Sequence, residues 1–470
     1  MIDINLIRET PQLVKDNIKK KNQEQKLPLV DKVKKLDNEW RSLKKKLDTL
    51  RHERNQISQN INKAKKQNNK EEFKKYITKA KQIPKEIEKI EQRTKELSKD
   101  IREIMFQIPN IIHKSVPIGK NDKENVEIKK VGKPKKLKFK IKSHVELGEN
   151  LGMLDFDTSA KTSGKGFYFL KGELALLNMA MINFARDFMV KQGFEYVEPP
   201  LMIRENILTG VYSHAEIEQM AYKVEGEDLF MIATSEHPLI GQFIHKTLSK
   251  DQLPVKQTAY SMCFRKEIGS HGIDEKGIYR THQFNKQEMI IICEPKDSYK
   301  WYDKMLKFSV ALFKALEIPI RVWECCSGDL ADLKAKSCDL EAWSPRQGKY
   351  FEITSLTNME EAQARRLNIK IEDQGKRYYA HTLNNTVIAT SRALVGIMEN
   401  NQQKDGSIKV PKALWKYMGG VKVIGKKEKK KVAKKKVKKK TKRKVAKKKV
   451  SKKKPKTKKT KSKKNIKKKK

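Results

Sequence analysis

The sequence predicts an α+β protein in three parts: an N-terminal antiparallel coiled-coil hairpin, a domain on an antiparallel or mixed sheet flanked by helices, and a disordered Lys-rich C-terminal tail. The divisions fall at residues 1–112, 113–420 and 421–470. Three observations lead there. Residues 29–64 carry a sustained seven-residue apolar repeat. From about 144 to 420, apolar residues, aromatics, Gly and Pro appear in globular proportions. Beyond Gly419-Gly420 the chain is mostly lysine.

The repeat runs Leu29, Val33, Leu36, Trp40, Leu43, Leu47, Leu50, Arg54, Ile57, Ile61, Ala64, in alternating steps of four and three, with only Arg54 out of character. Such a seam is what one coiled-coil helix presents to another. Lys66-Gln67-Asn68-Asn69-Lys70 reads as a tight polar turn. A second seam follows: Phe73, Ile77, Ala80, Ile83, Ile87, Ile90, Thr94, Leu97, Ile101, Ile104. Its phase slips at Ile83, and Pro84 predicts a local kink there. Two helices joined so tightly fold back as a hairpin, roughly 50–60 Å long at 1.5 Å per residue. Lys63, Lys65, Lys66, Lys70, Lys74, Lys75, Lys79 and Lys81 cluster near its tip. On one helix a charge run is usually a solvated face. On both arms of a projecting hairpin it points to a grip on a polyanion.

Residues 117–140 are polar and Lys-rich, with Pro117, Gly132 and Pro134, and read as a connection. Strand-like runs at 194–203, 229–234, 287–293 and 349–355 then fall among helical ones at 173–191, 296–316 and 388–402. They do not alternate strictly, so a mixed or antiparallel sheet fits better than a doubly wound one. Neither Gly-x-x-x-x-Gly-Lys-Ser/Thr nor Gly-x-Gly-x-x-Gly occurs, so the usual phosphate-cradling loops are not expected. The tail repeats Val-Ala-Lys-Lys-Lys-Val at 432–437 and 445–450. It cannot bury enough apolar surface to offset chain entropy, which predicts disorder.

Of the 106 Lys and Arg, 31 lie in residues 421–470 with one acid, so the tail carries +30 of the net charge of +49 and the remainder +19. A polyanionic partner follows, nucleic acid first and anionic membrane second. The five cysteines form no Cys-x-x-Cys pair, and adjacent Cys325-Cys326 is poor geometry for a shared metal. Reduced cytosolic thiols and no zinc are expected. Met1-Ile2-Asp3-Ile4-Asn5 lacks the basic start of a signal peptide, and no apolar run reaches the ~20 residues of a membrane span. A cytoplasmic protein without membrane contact is expected.

The densest chemistry lies between Phe264 and Glu288: Phe264-Arg265-Lys266-Glu267, a loop with Gly269, Gly272 and Gly277, then Arg280-Thr281-His282-Gln283-Phe284-Asn285-Lys286-Gln287-Glu288. Arginine forks suit phosphate oxygens, a ring suits a base, and carboxylates accept amino or hydroxyl hydrogens. Strand alternation places Arg280, His282, Phe284, Lys286 and Glu288 on one face. Such a face is costly without a ligand, and it predicts a nucleotide site on an antiparallel sheet.

These fragments resemble the seryl-tRNA synthetases, which are class II aminoacyl-tRNA synthetases, over essentially residues 1–420. The family pairs an N-terminal coiled-coil arm with a class II catalytic domain. Gly193-Phe194-Glu195-Tyr196-Val197-Glu198-Pro199-Pro200-Leu201-Met202, after the helix 173–191, looks like motif 1, which in the family builds a dimer interface. Phe264 to Glu288 looks like motif 2. Ala389-Thr390-Ser391-Arg392 with the helix through Glu399-Asn400 looks like motif 3. Thr234-Ser235-Glu236, Asp339-Leu340-Glu341-Ala342-Trp343 and Phe351-Glu352-Ile353-Thr354-Ser355-Leu356-Thr357-Asn358 resemble segments that narrow the class to serine. Bacterial members carry glycines where this chain has Asn385, Val387 and Ser391, so the archaeal type fits best.

The resemblance implies ATP and Mg2+ as ligands, L-serine and tRNA(Ser) as substrates, selenocysteine tRNA as a candidate second acceptor, and a homodimer. Catalytic roles fall to Arg265, Arg280 and Arg392, at the α-phosphate, pyrophosphate side and γ-phosphate respectively. ATP would be held by Arg265, Lys266, Glu267, Thr281, Phe284, Glu352, Ile353, Thr354, Ser355 and Arg392, with Phe284 stacked on adenine. Glu352 and Ser355 would hold Mg2+. Serine would be read by Thr234, Ser235, Glu236, Arg265, Glu288, Asn384 and Thr386. Outside the resemblance, Glu352 is merely a strand glutamate, and His282 reads as a structural histidine rather than a general base. The loop 268–279 would touch the acceptor end of tRNA. A paralogue seryl-adenylating another acceptor is the alternative, and the intact arm disfavours it.

Overall fold

Two long helices, Leu27–Lys66 and Lys70–Met105, make the hairpin. The computed structural model describes residues 1–267 and 277–426, so most of the Gly-dotted loop and nearly all of the basic tail lie outside the described residues. On the first helix Val33, Leu47, Leu50, Ile57 and Ala64 are buried. They face Ile83, Ile87, Ile90, Thr94, Leu97, Ile101 and Ile104 of the second, while Arg54 is exposed. The turn is Gln67–Asn69. Asn68 takes φ +52°, a left-handed conformation asparagine tolerates, and the Asn69 side chain caps the second helix by accepting from Glu72 N at 3.2 Å. Pro84 is exposed, and the helix runs unbroken through it. The eight tip lysines are all exposed.

The arm has two apolar clusters. A distal one joins Leu47, Leu50 and Ile57 to Ile83, Ile87 and Ile90. A proximal one packs Ile7, Val14 and Ile18, from the short helices Ile4–Glu9 and Pro11–Lys20, onto Val30, Val33, Ile101 and Ile104. Arg8 closes the base with an ion pair at 2.7 Å to buried Asp37.

The main sheet has eight strands: β1 (Val126–Val131), β2 (Glu195–Tyr196), β3 (Val255–Phe264), β4 (Gln283–Cys293), β5 (Ile320–Glu324), β6 (Lys336–Ser344), β7 (Lys349–Glu360) and β8 (His381–Ala389). Their order is β1-β5-β6-β7-β8-β4-β3-β2, antiparallel except for the β2–β3 pair. β4 is buried on both faces, which explains its continuous apolar run. Met289, Ile291 and Cys293 pack into the core with the helices Gly172–Lys191, Ser298–Ala315 and Thr390–Asn401. Ile290 and Ile292 join the opposite cluster, around the helices Glu205–Val211, Glu236–Gly241 and Ala362–Leu367.

Several boundaries differ from the sequence reading. The run 194–203 is two short strands, interrupted where Pro199-Pro200 cannot donate to a ladder. Of 229–234 only Phe230–Met231 is strand, and helix starts at Glu236. Strand extends to Ala389 before helix begins at Thr390. Part of the stretch read as a connection forms β1, its lysines hiding an edge strand, where exposed charge is common. Among the described residues no helix is long and apolar enough to cross a membrane.

Leu97 is fully buried at the seam and Arg54 is exposed on it. Leu97→Ala should destabilise the arm by about 2–5 kcal/mol, and Arg54→Ala by within about 0.5 kcal/mol, both measured by urea unfolding followed by circular dichroism.

Candidate active site

A cavity of about 440 Å³ is walled by β4, β7, β8, the start of the helix Thr390–Asn401 and the segment 329–334. Along β4 the alternation brings Phe284, Lys286 and Glu288 to the cavity, in line with Ile290 and Ile292. Glu288 has no exposed surface. Its Oε1 accepts from Thr234 Oγ1 at 3.1 Å and from Thr386 Oγ1 at 3.0 Å, and it pairs with buried Lys286. Its Oε2 is buried without a hydrogen-bond partner. Thr386 is the residue directly opposite Glu288 on β8. Glu236 lies alongside, accepting from Gln363 Nε2 at 3.0 Å and Asn384 Nδ2 at 2.6 Å. Burial, and then the Glu288 carboxylate, push Glu236 up to about 7.

A second part of the cavity is built for a flat, anionic ligand. The Arg265 guanidinium lies 5.2 Å from the Phe284 ring centroid, and that of Arg392 lies 4.7 Å from the Tyr279 ring. Arg280 is half exposed and reaches Glu267 at 3.7 Å. Thr281 lines the same wall, its hydroxyl donating to Gln283 O at 2.9 Å.

The third part is the β7 wall. Glu352 pairs with Arg392 at 3.0 Å. Burial alone would raise the Glu352 carboxyl, but Arg392, Lys334 and Arg265 together hold it below the usual range. Burial also works against charge on Arg392, and Glu352 outweighs it, so the guanidinium pKa is raised. Glu352 and Ser355 are three apart, a spacing that in a regular strand points to opposite faces. A β-bulge solves this: Leu340 opposes Thr354 and Glu341 opposes Glu352, leaving Ile353 as the extra residue. Both Glu352 and Ser355 therefore line the cavity, as do Ile353 and Thr354.

Three residues named from sequence are placed elsewhere. Ser235 is fully buried, and its hydroxyl donates to Ala259 O at 3.0 Å in β3. Lys266 reaches Glu218 O at 3.4 Å, outside the cavity. His282 precedes the strand, which starts at Gln283, so the alternation does not extend to it. It sits against Phe167 and hydrogen-bonds Tyr222 Oη at 3.0 Å. Other cavity residues were not singled out by sequence: Lys286 as a charge partner, Tyr279, His237, Asp329, Lys334 and Asp339. Asp339 was within reach, because it opens the segment quoted above, whereas its neighbour Glu341 is taken up by Arg321. Burial, then Glu352, push Asp339 up to about 7. Among the described residues no three His, Cys, Asp or Glu converge as a metal site, and all five cysteines are buried and unpaired.

The arrangement can hold an aromatic base on Phe284, a phosphate chain along Arg265, Arg280 and Arg392, and a small ligand with donor hydrogens at Glu236 and Glu288.

Residues 221–401 match the class II tRNA synthetase core domain (G, H, P, S and T), and residues 1–112 match the seryl-tRNA synthetase N-terminal domain. The chain is 45% identical to the serine–tRNA ligase of Pyrococcus furiosus over 446 residues, covering 90% of this chain and 98% of that one. It is 42% identical to the serine–tRNA ligase of Methanocella arvoryzae, covering 90% and 100%. The seryl-tRNA synthetase of Pyrococcus horikoshii, crystallised with ATP, superposes with a TM-score of 0.86 at 43% identity, covering 90% of this chain and 99% of that one. The cytoplasmic serine–tRNA ligase of Naegleria fowleri, in complex with AMP, gives 0.80 at 33% identity, covering 91% and 99%.

The buried Glu236 has a pH signature. As pH rises from its ordinary value of 4.5 towards about 7, the unfolded chain ionises before the folded one, and folding loses stability across that window. Glu236→Gln removes the cost. Its melting temperature should exceed the wild type's at pH 8, and the gain should vanish on going to pH 5; a pH-independent difference by calorimetry would contradict the assignment.

Proposed function

The chain belongs to the seryl-tRNA synthetases, and from that premise we propose how its residues divide the work. As a serine–tRNA ligase it activates L-serine with ATP to seryl-adenylate, releasing diphosphate, and transfers serine to the 3′ end of tRNA(Ser), releasing AMP. Thr234, Glu236, Glu288, Asn384 and Thr386 bind serine. The observation that carries this is the Glu288 carboxylate, buried with Oε2 unpartnered among hydroxyls. The serine hydroxyl satisfies that oxygen. Alanine leaves it bare and is refused by a large factor.

Arg265 orients the serine carboxylate against the α-phosphate, Arg392 meets the γ-phosphate, Arg280 assists on the diphosphate side, and Phe284 stacks on adenine, with Glu267 and Thr281 on the pocket wall. The carboxylate oxygen attacks the α-phosphorus as the bond to the bridging oxygen breaks. The protein's contribution is position and charge neutralisation. Glu352 and Ser355 offer hard oxygen donors on one wall, a set that suits Mg2+, which when bound neutralises charge between phosphate oxygens. Ser235 and Lys266 lie outside the cavity, bonded to Ala259 O and Glu218 O, and do not touch substrate.

The arm's exposed lysines grip the tRNA. A homodimer is supported by apolar side chains left exposed near motif 1: Leu176, Met179, Val190, Leu201 and Met202. The cytoplasm, where ATP and tRNA meet, is the site of action.

Serine-dependent ATP–pyrophosphate exchange tests the assignment, and exchange with another amino acid instead would undo it. Replacing residues 44–90 with a short Gly-Ser linker removes the distal cluster and keeps the proximal one whole. This variant should lose aminoacylation by at least about 100-fold while exchange stays within about threefold; joint loss of both would contradict the division of labour.

A further inference from the structure

The segment Ala331–Ala335 lies between β5 and β6 with no helix or strand of its own, yet it contributes Ala331, Leu333 and Lys334 to the cavity wall. The base of the arm holds it. Lys21 Nζ donates to Ala331 O at 2.9 Å, and Gln23 Nε2 and Lys26 Nζ donate to the two Asp332 carboxylate oxygens at 2.9 and 2.6 Å. Asn110 donates its backbone N–H to Asp332 O at 2.7 Å and its side-chain amide to Leu333 O at 3.0 Å, and His113 N donates to Ala335 O at 2.9 Å. Asn17 in turn fixes Asn110, donating to its carbonyl at 3.0 Å. Lys21 is nearly fully buried in doing so.

What the segment presents is Lys334. Its ammonium lies 3.5 Å from Ser337 Oγ, and it lines the same cavity as Asp339, Glu352 and Asp329. Burial works against its charge, and Asp339, Cys325, Glu352 and Asp329 outweigh it and raise its pKa. Three carboxylates on a wall against which a polyphosphate must lie would repel it. Arg392 neutralises Glu352 from one side. Lys334, with Arg265, adds to that neutralisation from within the same cavity.

We propose that Lys334 is a positioning residue for ATP, acting through Asp339 and Glu352, and that the arm base holds it in place, so that the arm is structurally part of the activation site. This rests on the ATP reading above. Wild-type exchange with serine tests that reading on its own, and the variants below test this one.

The experiment is pyrophosphate exchange on the full chain. Lys334→Met, of similar length and uncharged, should raise the KM for ATP by about tenfold, with the KM for serine within about twofold, and Lys334→Arg should recover most of the loss. Lys21→Met should show the same split more weakly, and the double variant should be no worse than Lys334→Met alone, because both act through one ammonium. Melting temperatures check folding, and Gln23→Leu replaces Lys21→Met if the latter does not fold. The proposal is overturned if Lys334→Met leaves the KM for ATP within twofold, if the KM for serine rises equally, or if the arm-base and Lys334 effects multiply.

Discussion

A carboxylate with no solvent exposure in the middle of a sheet costs several kcal/mol unless it is paired and hydrogen-bonded, and Glu288 is such a carboxylate. Its partners come from three places: Lys286 on the same strand, Thr386 opposite on β8, and Thr234 before the helix Glu236–Gly241. Each of these elements is therefore fixed relative to β4 by the need to satisfy one ion. A one-residue slip between β4 and β8 would turn Thr386 away and take from the carboxylate one of its three partners. The satisfaction is incomplete by one oxygen, and in the proposed function the serine hydroxyl completes it. Glu236 follows from the same fact, since a second buried carboxylate beside the first is pushed towards neutrality.

The remaining walls depend on departures from regular structure. The bulge at Ile353 turns Glu352 and Ser355 to one side, and a second irregularity, between Thr386 and Ile388 on β8, shifts the register shortly before the strand gives way, after Ala389, to the helix bearing Arg392. The loop 331–335 has no ladder of its own, and the arm base supplies its hydrogen bonds. The segments flanking the hairpin thus brace one wall of the cavity.

Much of this was legible in the sequence, for reasons particular residues make plain. The arm was readable because its period holds over ten steps and its turn contains Asn68 and Asn69, suited to a left-handed bend and a cap. Phe284, Lys286 and Glu288 were readable as one face because β4 is regular there. His282 was misplaced onto that face because the strand begins only at Gln283, which nothing in the residue types announces. Ser235 and Lys266 sit inside motif segments but turn away, since a motif names a segment and not each side chain's direction. The bulge at Ile353 has no sequence mark. Lys334 and Lys21 were invisible because Lys21 reaches the Lys334 segment, at Ala331 O, from 310 residues away, and lysines in a lysine-rich chain draw no notice.

The central claim is that the Glu288 carboxylate reads the serine hydroxyl. The direct test is to measure kcat/KM in pyrophosphate exchange for serine and for alanine, in the wild type and in Glu288→Gln. The account predicts wild-type discrimination of at least about 1,000-fold, falling to about tenfold or less in the variant, chiefly through loss of activity with serine. Undiminished discrimination in Glu288→Gln would contradict it.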